Sequence, residues 1–283
     1  MKSFLDLIKF EHTIFALPFA YLGMVLAAGG WPGWEKIIWV TIAMAAARTL
    51  AMAFNRIADR WWDARNPRTA RRPLVTGAIS MRTAWTGTLV SLLVLVFAAW
   101  RLGPLPLLLL PGALVFLVGY SYTKRFTSLS HYILGFTDGL APAGAWVAVT
   151  GSLFTLGDLP AWLLTAVVTL WIGGFDLLYA CQDIEFDRQY GLHSIPAERG
   201  VAFALNLSSV SHVLMLALLI WIGMLTGLTW PYFIALVAVA GLLVWEHRLV
   251  TPVDLSKINQ AFFNINSYIA LVLFSGVLFG LMV

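Results

Sequence analysis

The sequence predicts an all-α protein, a multi-pass membrane helical bundle of about nine transmembrane helices. Of its 283 residues, 60% are hydrophobic and only 11% are charged, whereas about a quarter of the residues of a soluble domain are charged. Apolar runs of about 20 residues, the length a helix needs to cross a bilayer core, recur along the whole chain. The composition therefore implies that the protein lies in a lipid bilayer.

The predicted spans follow one another with short connections. They cover residues 12–30, 36–57, 83–101, 104–123, 131–150, 161–181, 203–226, 230–247 and 261–282. The second, fourth and sixth spans each run into a strongly polar stretch of sequence. No segment outside the spans is long enough to form a separate domain, so residues 1–283 are predicted to form one domain.

Lysine and arginine residues are unevenly divided between the two ends of the predicted spans. Of the 18, all but three lie at one end; Lys36 and Arg101 lie at the other, and Arg48 lies within a span. Cytoplasmic loops carry such an excess, and the amino-terminal MKSFLDLIKFEH lacks a cleavage signal. The chain is therefore expected in the cell (inner) membrane with its amino terminus in the cytoplasm. The same bias accounts for the basic charge, so no nucleic-acid partner is predicted.

Acidic residues form two clusters at the basic end. In the second span and its extension, Arg48, Asn55, Asp59 and Asp63 are spaced by 7, 4 and 4 residues. If the helix continues past its hydrophobic part, these four residues occupy an arc of roughly 80°. The sixth span repeats the pattern, because it carries Asp176, Asp183 and Asp187 at spacings of 7 and 4.

Two acid pairs at one membrane face need compensating charge, because carboxylates that close repel one another. Mg²⁺ prefers oxygen ligands and commonly bridges carboxylates to substrate phosphates. The interleaved arginines then predict a phosphorylated ligand held through metal. The alternatives are that the acids form a solvated helix face, that the arginines only anchor the topology, and that Arg48 extends to the interface.

A third polar element, GYSYTKRFTSLSH, begins at the end of the fourth span. Lys124 and Arg125 lie here, on the same side as both acid clusters. They are either membrane anchors or phosphate ligands, in which case they supply a point charge and a bidentate donor.

Other kinds of site have no support in the sequence. The single cysteine, Cys181, excludes an internal disulfide and a multi-cysteine metal site. The five histidines lack metal-ligand spacings and are interpreted as interfacial or packing residues. No glycine-rich nucleotide motif is present.

Three motifs together resemble the UbiA superfamily of intramembrane aromatic prenyltransferases. NRIADRWWDARNPRTARRPL is similar to the first family motif, YACQDIEFDRQYGLHS to the second, and YSYTKRFTSLSHYILG to a third element between them. The resemblance covers nearly the whole chain. One departure is Arg56, where many members have Asp; without that acid, the first metal site would depend on Asn55, Asp59 and Asp63.

The resemblance implies an enzyme with its active site at the cytoplasmic face. Members use Mg²⁺ to transfer a polyprenyl group from polyprenyl diphosphate to an aromatic acceptor. The implied catalytic residues are Asp59, Asp63, Asp183 and Asp187. These four and Asn55 are the implied metal ligands. The implied diphosphate-binding residues are Arg68, Arg72, Lys124 and Arg125.

The implied acceptor-binding residues are Arg48 and Tyr120. Members that act on 4-hydroxybenzoate place an arginine seven residues before the motif asparagine, where it pairs with the acceptor carboxylate, and Arg48 matches that position. The amino-terminal FEHTIFALPFA resembles a subgroup that includes enzymes for 1,4-dihydroxy-6-naphthoate in the futalosine route to menaquinone. Both acceptors are hydroxyaryl carboxylic acids of quinone biosynthesis, and Arg48 does not separate them.

The main alternative is a polytopic transporter that uses the polar clusters as a substrate or ion pathway. Against it, the acids cluster at one face of the bundle and not at its midplane. A CDP-alcohol phosphotransferase would need DGxxAR within its acidic motif, and that string is absent. The base that takes the ring proton is not identified; Asp176 is one candidate.

Overall fold

The structure, a computed structural model, describes residues 7–8, 13–258 and 264–283. Helices make up most of these residues. In chain order they are α1 (Thr13–Ala28), α2 (Trp34–Ala58), α3 (Arg60–Asp63), α4 (Met81–Leu102), α5 (Pro104–Thr123), α6 (Ser130–Thr150), α7 (Leu159–Ala180), α8 (Ile184–Tyr190), α9 (Ile195–Arg199), α10 (Val201–Leu225), α11 (Trp230–Leu249) and α12 (Asn266–Met282). Two 3₁₀ turns, Leu156–Asp158 and Cys181–Asp183, flank α7.

The helices confirm the predicted fold class, an all-α multi-pass membrane protein. Among the described residues, seven helical segments are long and apolar enough to cross a membrane, and they occupy the positions of the second to eighth predicted spans. The remaining apolar helices, α1 and α12, have 16 and 17 residues, so nine crossings stay a prediction. Residues 12 and 261–263 of the predicted spans lie outside the described residues, as does most of the amino-terminal segment.

The outer surface of the bundle is apolar, as contact with lipid requires. Leu93 on α4 and Leu108 and Val115 on α5 are each about 70% exposed (69%, 74% and 69%). At the end of the bundle away from the acidic motifs, Arg101 forms an ion pair with Glu35 at 3.1 Å. These two charges therefore neutralise one another locally, and Lys36 at the same end donates to the carbonyl of Leu102 at 3.2 Å.

Helices α6 and α7 form the most extensive helix pair among the described elements. Glycine permits this contact, because a Cβ added at Gly135 would lie 2.4 Å from the Thr169 carbonyl oxygen, and one at Gly139 would lie 2.6 Å from that of Thr165. The two backbones thus approach more closely than any side chain allows. This close approach also brings the carboxyl-terminal end of α7 beside the start of α6.

Replacing Gly135 by alanine is expected to destabilise the bundle by about 1–3 kcal/mol, the usual cost of overpacking a core. The obstructing atom belongs to the α7 backbone and cannot rotate away. Thermal unfolding of the detergent-solubilised protein would show a lower apparent Tm.

The matched control for that experiment is Gly144→Ala in the same helix. A Cβ at Gly144 meets no atom within 4 Å, and alanine exceeds glycine in helix propensity by up to about 1 kcal/mol. An unchanged or higher Tm is expected for the control. Equal Tm values for the two variants would contradict the packing account.

Candidate active site

Three membrane helices end at the same face of the bundle, and the predicted site residues follow them. Helix α2 ends at Ala58, α5 at Thr123 and α7 at Ala180. Between these ends lies a polar chamber of about 300 Å³. All predicted metal and diphosphate ligands line it: Asn55, Asp59, Asp63, Arg68, Arg72, Lys124, Arg125, Asp183 and Asp187. Residues up to 132 positions apart in sequence are therefore brought to one site.

The two acidic stripes do not lie on uninterrupted helices, which corrects the prediction. Helix α2 stops before Asp59, and the short α3 follows it. The backbone amides of Asp59 and Asp63 still donate to residues four positions earlier, at 2.9 and 2.8 Å, so the first stripe keeps its register. In the second stripe, the 3₁₀ turn Cys181–Asp183 separates Asp176 from Asp187.

The first acid pair is neutralised by two arginines. Arg72 donates from one nitrogen to both carboxylate oxygens of Asp63 at 2.6 Å. Arg125 lies 3.5 Å from Asp59, and Asn55 donates its side-chain amide to the same carboxylate at 2.9 Å. Burial raises the pKa of Asp59, and the nearby Asp63 adds to this rise. The arginines oppose it because they favour the charged carboxylate.

In the second pair, Asp183 is held by the segment of successive turns that follows α3. Arg68 donates to both oxygens of Asp183, with its Nε at 2.9 Å, and Asn66 donates to one of them at 2.9 Å. Arg68 also donates to the hydroxyl of Tyr179 at 2.9 Å. The two acidic motifs are thus joined directly by a bidentate ion pair, which constrains orientation more tightly than a single contact.

The last acid, Asp187, is almost fully buried. Its partners are Lys124, whose Nζ lies 3.7 Å away, and Ser194, whose hydroxyl donates to it at 2.7 Å. The backbone amide of His193 donates to the carbonyl of Lys124 at 2.7 Å. The connection after α5 and the one after α8 are therefore fastened together over the chamber.

These contacts correct one step of the sequence argument. Charge compensation of the four carboxylates does not itself need a metal, because each carboxylate has an arginine or lysine of the same chain beside it. Within the described ranges, no group of three or more acidic, histidine or cysteine side chains is placed to hold a metal ion. In this structure, each of the four cations predicted to bind diphosphate forms an ion pair with one of the carboxylates predicted to bind metal.

The donor set nevertheless fits a hard divalent cation. Five carboxylates and two side-chain amides line a single small chamber, and oxygen donors of this kind suit Mg²⁺. The arginine and lysine side chains that pair with four of these carboxylates are flexible. An anionic ligand entering the chamber would offer those side chains a second partner and release carboxylate oxygens.

Arg56, the departure from the first motif pattern, is buried at the end of α2. Its guanidinium donates to the carbonyl of Leu7 at 3.4 Å and to the side-chain oxygen of Asn55 at 3.2 Å. The second contact turns the amide nitrogen of Asn55 toward Asp59. Arg56 thus positions the first residue of the motif and ties it to the amino-terminal segment.

A second, apolar cavity of about 530 Å³ extends from the chamber into the bundle. Four residues line both spaces: Met52, Tyr120, Leu134 and Asp176. From Asp176 to Trp162, another lining residue, α7 advances about 21 Å at 1.5 Å per residue. The cavity therefore runs through most of the membrane thickness.

Arg48 lines the apolar cavity, two helical turns below Asn55. Its Nε is buried and makes no hydrogen bond to any described residue, and Asp138 is the acid that acts on it electrostatically. Tyr120 donates its hydroxyl to the carbonyl of Ala51 at 3.3 Å. Of the two predicted acceptor ligands, Tyr120 thus lies at the junction of the chamber and the cavity, and Arg48 lies deeper in the cavity. The Nε of Arg48 is a donor that no described residue uses.

Sequence reasoning missed two features of the site. Asn66 was not singled out, although its position inside the first motif was a signal. His131 was interpreted as a packing residue, yet its Nδ1 lies 2.7 Å from the carboxylate of Asp176. That pair spans 45 residues and has no local sequence pattern that would reveal it.

Known proteins resemble this chain in both sequence and fold. Residues 16–268 match the model of the UbiA prenyltransferase family. The chain is 32% identical over 246 residues to a 4-hydroxybenzoate octaprenyltransferase from Klebsiella pneumoniae, covering 84% of this chain and 82% of the relative.

Two solved structures extend the comparison. A UbiA homolog from Aeropyrum pernix K1, solved in the apo state, is 35% identical with a TM-score of 0.86, and the match covers 95% of this chain and 98% of that one. A UbiA homolog from Archaeoglobus fulgidus bound to DMAPP and Mg²⁺ has a TM-score of 0.65 at 18% identity, with 96% and 99% covered. The second likeness is one of fold.

Proposed function

The chain belongs to the UbiA prenyltransferase family and is an aromatic prenyltransferase; from this premise we propose its substrates, cofactor and orientation. It transfers a polyprenyl group from polyprenyl diphosphate to a hydroxyaryl carboxylic acid, 4-hydroxybenzoate or 1,4-dihydroxy-6-naphthoate, with Mg²⁺ as cofactor. The observation that carries this proposal is a charged chamber adjoining a deep apolar cavity in which a buried arginine has an unused donor.

The chamber binds the diphosphate end of the donor substrate. Lys124, Arg125, Arg68 and Arg72 line it and move from their carboxylate partners to phosphate oxygens, for which arginine supplies bidentate donors. The carboxylates of Asp59, Asp63, Asp183 and Asp187 and the side chain of Asn55 would hold the metal. When bound, Mg²⁺ supplies neutralisation of charge on the departing diphosphate.

The apolar cavity holds the prenyl chain and the acceptor ring. Its walls include Phe116, Phe136 and Phe175, and a water-poor environment protects an allylic cation from hydrolysis. Once they contact the diphosphate, the arginine and lysine side chains of the chamber stabilise the negative charge that develops on the leaving group. The carbon–oxygen bond of the donor then breaks at the junction, where the ring can attack the first carbon of the chain.

Arg48 binds the carboxylate of the acceptor. Its Nε has no hydrogen-bond partner among the described residues, and a buried donor left unpaired is costly, so an anionic oxygen in the cavity would satisfy it. Tyr120, at the junction, contacts the ring. This arrangement favours an aromatic acid over a neutral quinol.

The orientation proposed is with the chamber at the cytoplasmic face of the cell (inner) membrane and the amino terminus in the cytoplasm. The excess of lysine and arginine at the chamber end supports it. We also propose that residues 1–283 form one domain, since the family model spans nearly all of it.

One assay tests the proposal most directly. Purified protein in liposomes is offered 4-hydroxybenzoate, 1,4-dihydroxy-6-naphthoate or a neutral hydroquinone together with prenyl diphosphates of several chain lengths, and products are identified by mass spectrometry. A prenylated aromatic acid is expected, lost with a chelator and restored by Mg²⁺. The absence of product from both acids, or full activity in the chelator, would contradict the proposal. Passage of an unchanged substrate into the liposomes would favour a transporter.

A further inference from the structure

Asp176 lies at the boundary between the two parts of the site. It is the carboxylate among the four residues that line both the polar chamber and the apolar cavity. Its side chain is 19% exposed, so it faces open space and is not sealed in packing. In the proposed function, the first carbon of the prenyl chain meets the acceptor ring at this boundary. The carboxylate of Asp176 therefore faces the place of reaction.

The partner of Asp176 is a fully buried histidine. Nδ1 of His131 lies 2.7 Å from Oδ2 of Asp176, and Nε2 of the same ring is buried with no hydrogen-bond partner among the described residues. The contact depends on the close approach of α6 and α7 at Gly135, one helical turn from His131. The ring is therefore fixed by packing and uses one nitrogen to orient the carboxylate.

The other acids of the site have a different kind of partner. Asp63 and Asp183 are held by arginines, and Asp187 lies beside a lysine. An arginine cannot be deprotonated in a protein, so it takes no part in moving a proton. Each nitrogen of a histidine ring can donate or accept a hydrogen bond, so His131 can hold Asp176 through Nδ1 while its Nε2 makes no hydrogen bond to any described residue.

We propose that Asp176 accepts the proton that the acceptor ring loses, and that His131 positions Asp176 for this step. The inference rests on the proposed function. First the carbon–oxygen bond of the prenyl diphosphate breaks, and its electron pair leaves with the diphosphate. A pair from the ring then forms the new carbon–carbon bond. Finally the ring carbon–hydrogen bond breaks: its electron pair restores the aromatic ring, and the proton goes to Asp176.

The test compares Asp176→Asn with the wild-type protein, using an acceptor deuterated at the reacting ring carbon. Asparagine keeps the shape of the side chain but cannot take the proton, so kcat is expected to fall about 10²–10⁴-fold, the usual contribution of a general base. Proton loss then becomes rate-limiting, and a primary deuterium isotope effect larger than that of the wild type appears. Binding of prenyl diphosphate and the apparent Tm should stay unchanged.

The control variant is Glu185→Gln, which removes an exposed carboxylate from α8 outside the lining of the chamber. Wild-type kcat and isotope effect are expected for it. Near-normal kcat in Asp176→Asn, or a loss of kcat without a larger isotope effect, would overturn the assignment. If the wild-type protein prenylates no aromatic acceptor at all, it is the proposed function that fails.

His131 is tested as a positioning residue by two replacements. Leucine removes the donor, and asparagine places an N–H near the position of Nδ1. His131→Leu should show the same isotope effect as Asp176→Asn with a smaller loss of kcat, and His131→Asn should recover most of the rate. Equal behaviour of the two replacements, with no change in isotope effect, would show that the histidine only fills space.

Discussion

Asp183→Asn is expected to reduce prenyl transfer by about 10²–10³-fold, the scale of losing one preorganised electrostatic contact to a reacting group. Asp183 is buried and accepts hydrogen bonds from Arg68 and Asn66. Its replacement removes one of the proposed metal ligands and also leaves the guanidinium of Arg68 without its main partner. The measurement is kcat in liposomes at saturating Mg²⁺ and both substrates.

Loss of activity must be separated from loss of folding, because breaking a buried ion pair by removing one member can cost about 3–5 kcal/mol. The double variant Asp183→Asn with Arg68→Gln removes both charges together. It should regain much of the apparent Tm lost by the single variant while staying inactive. Glu185→Gln, two residues along the chain and exposed, is the matched control for the loss of one acid. Near-normal turnover in Asp183→Asn would refute the proposed role of the second acid pair.

Arg48→Ala is expected to raise the KM for the aromatic acid about 10–100-fold, because a hydrogen bond to a charged group contributes about 1.5–3 kcal/mol. The apolar cavity offers the acceptor carboxylate no other arginine or lysine among the described lining residues. The KM for prenyl diphosphate should change little, since Arg48 does not line the chamber. Steady-state kinetics with each substrate varied in turn would measure both constants.

Two comparisons make the Arg48 experiment specific. Lys36→Ala removes a cation from the same helix at the opposite end of the bundle, where Lys36 donates to the carbonyl of Leu102, and should leave both KM values unchanged. Arg48→Lys keeps the charge but loses the planar fork of donors, so an intermediate KM is expected. An equal loss of activity toward a neutral acceptor would show that Arg48 acts through packing or through Asp138, and not through the carboxylate.

The sequence predicts the membrane fold and the shared direction of the first acidic stripe, because both depend on local regularities of the chain. Hydropathy over about 20 residues identifies a span wherever it packs. The 7 and 4 residue spacings of Asn55, Asp59 and Asp63 after Arg48 set a common direction through the helical repeat. Even the break after Ala58 preserves that register, because the amides of Asp59 and Asp63 keep their bonds four residues back.

The tertiary structure alone determines which acidic and basic side chains form ion pairs. The sequence suggested a metal between the acid pairs, whereas Arg68 of the first motif pairs with Asp183 of the second. Such partners depend on how the segment after α3 folds over the chamber. His131 and Asp176 meet because glycine lets two helical backbones approach within the reach of a side chain. Spacing along one helix follows from the geometry of the chain, but contact between helices follows from packing, which no single segment encodes.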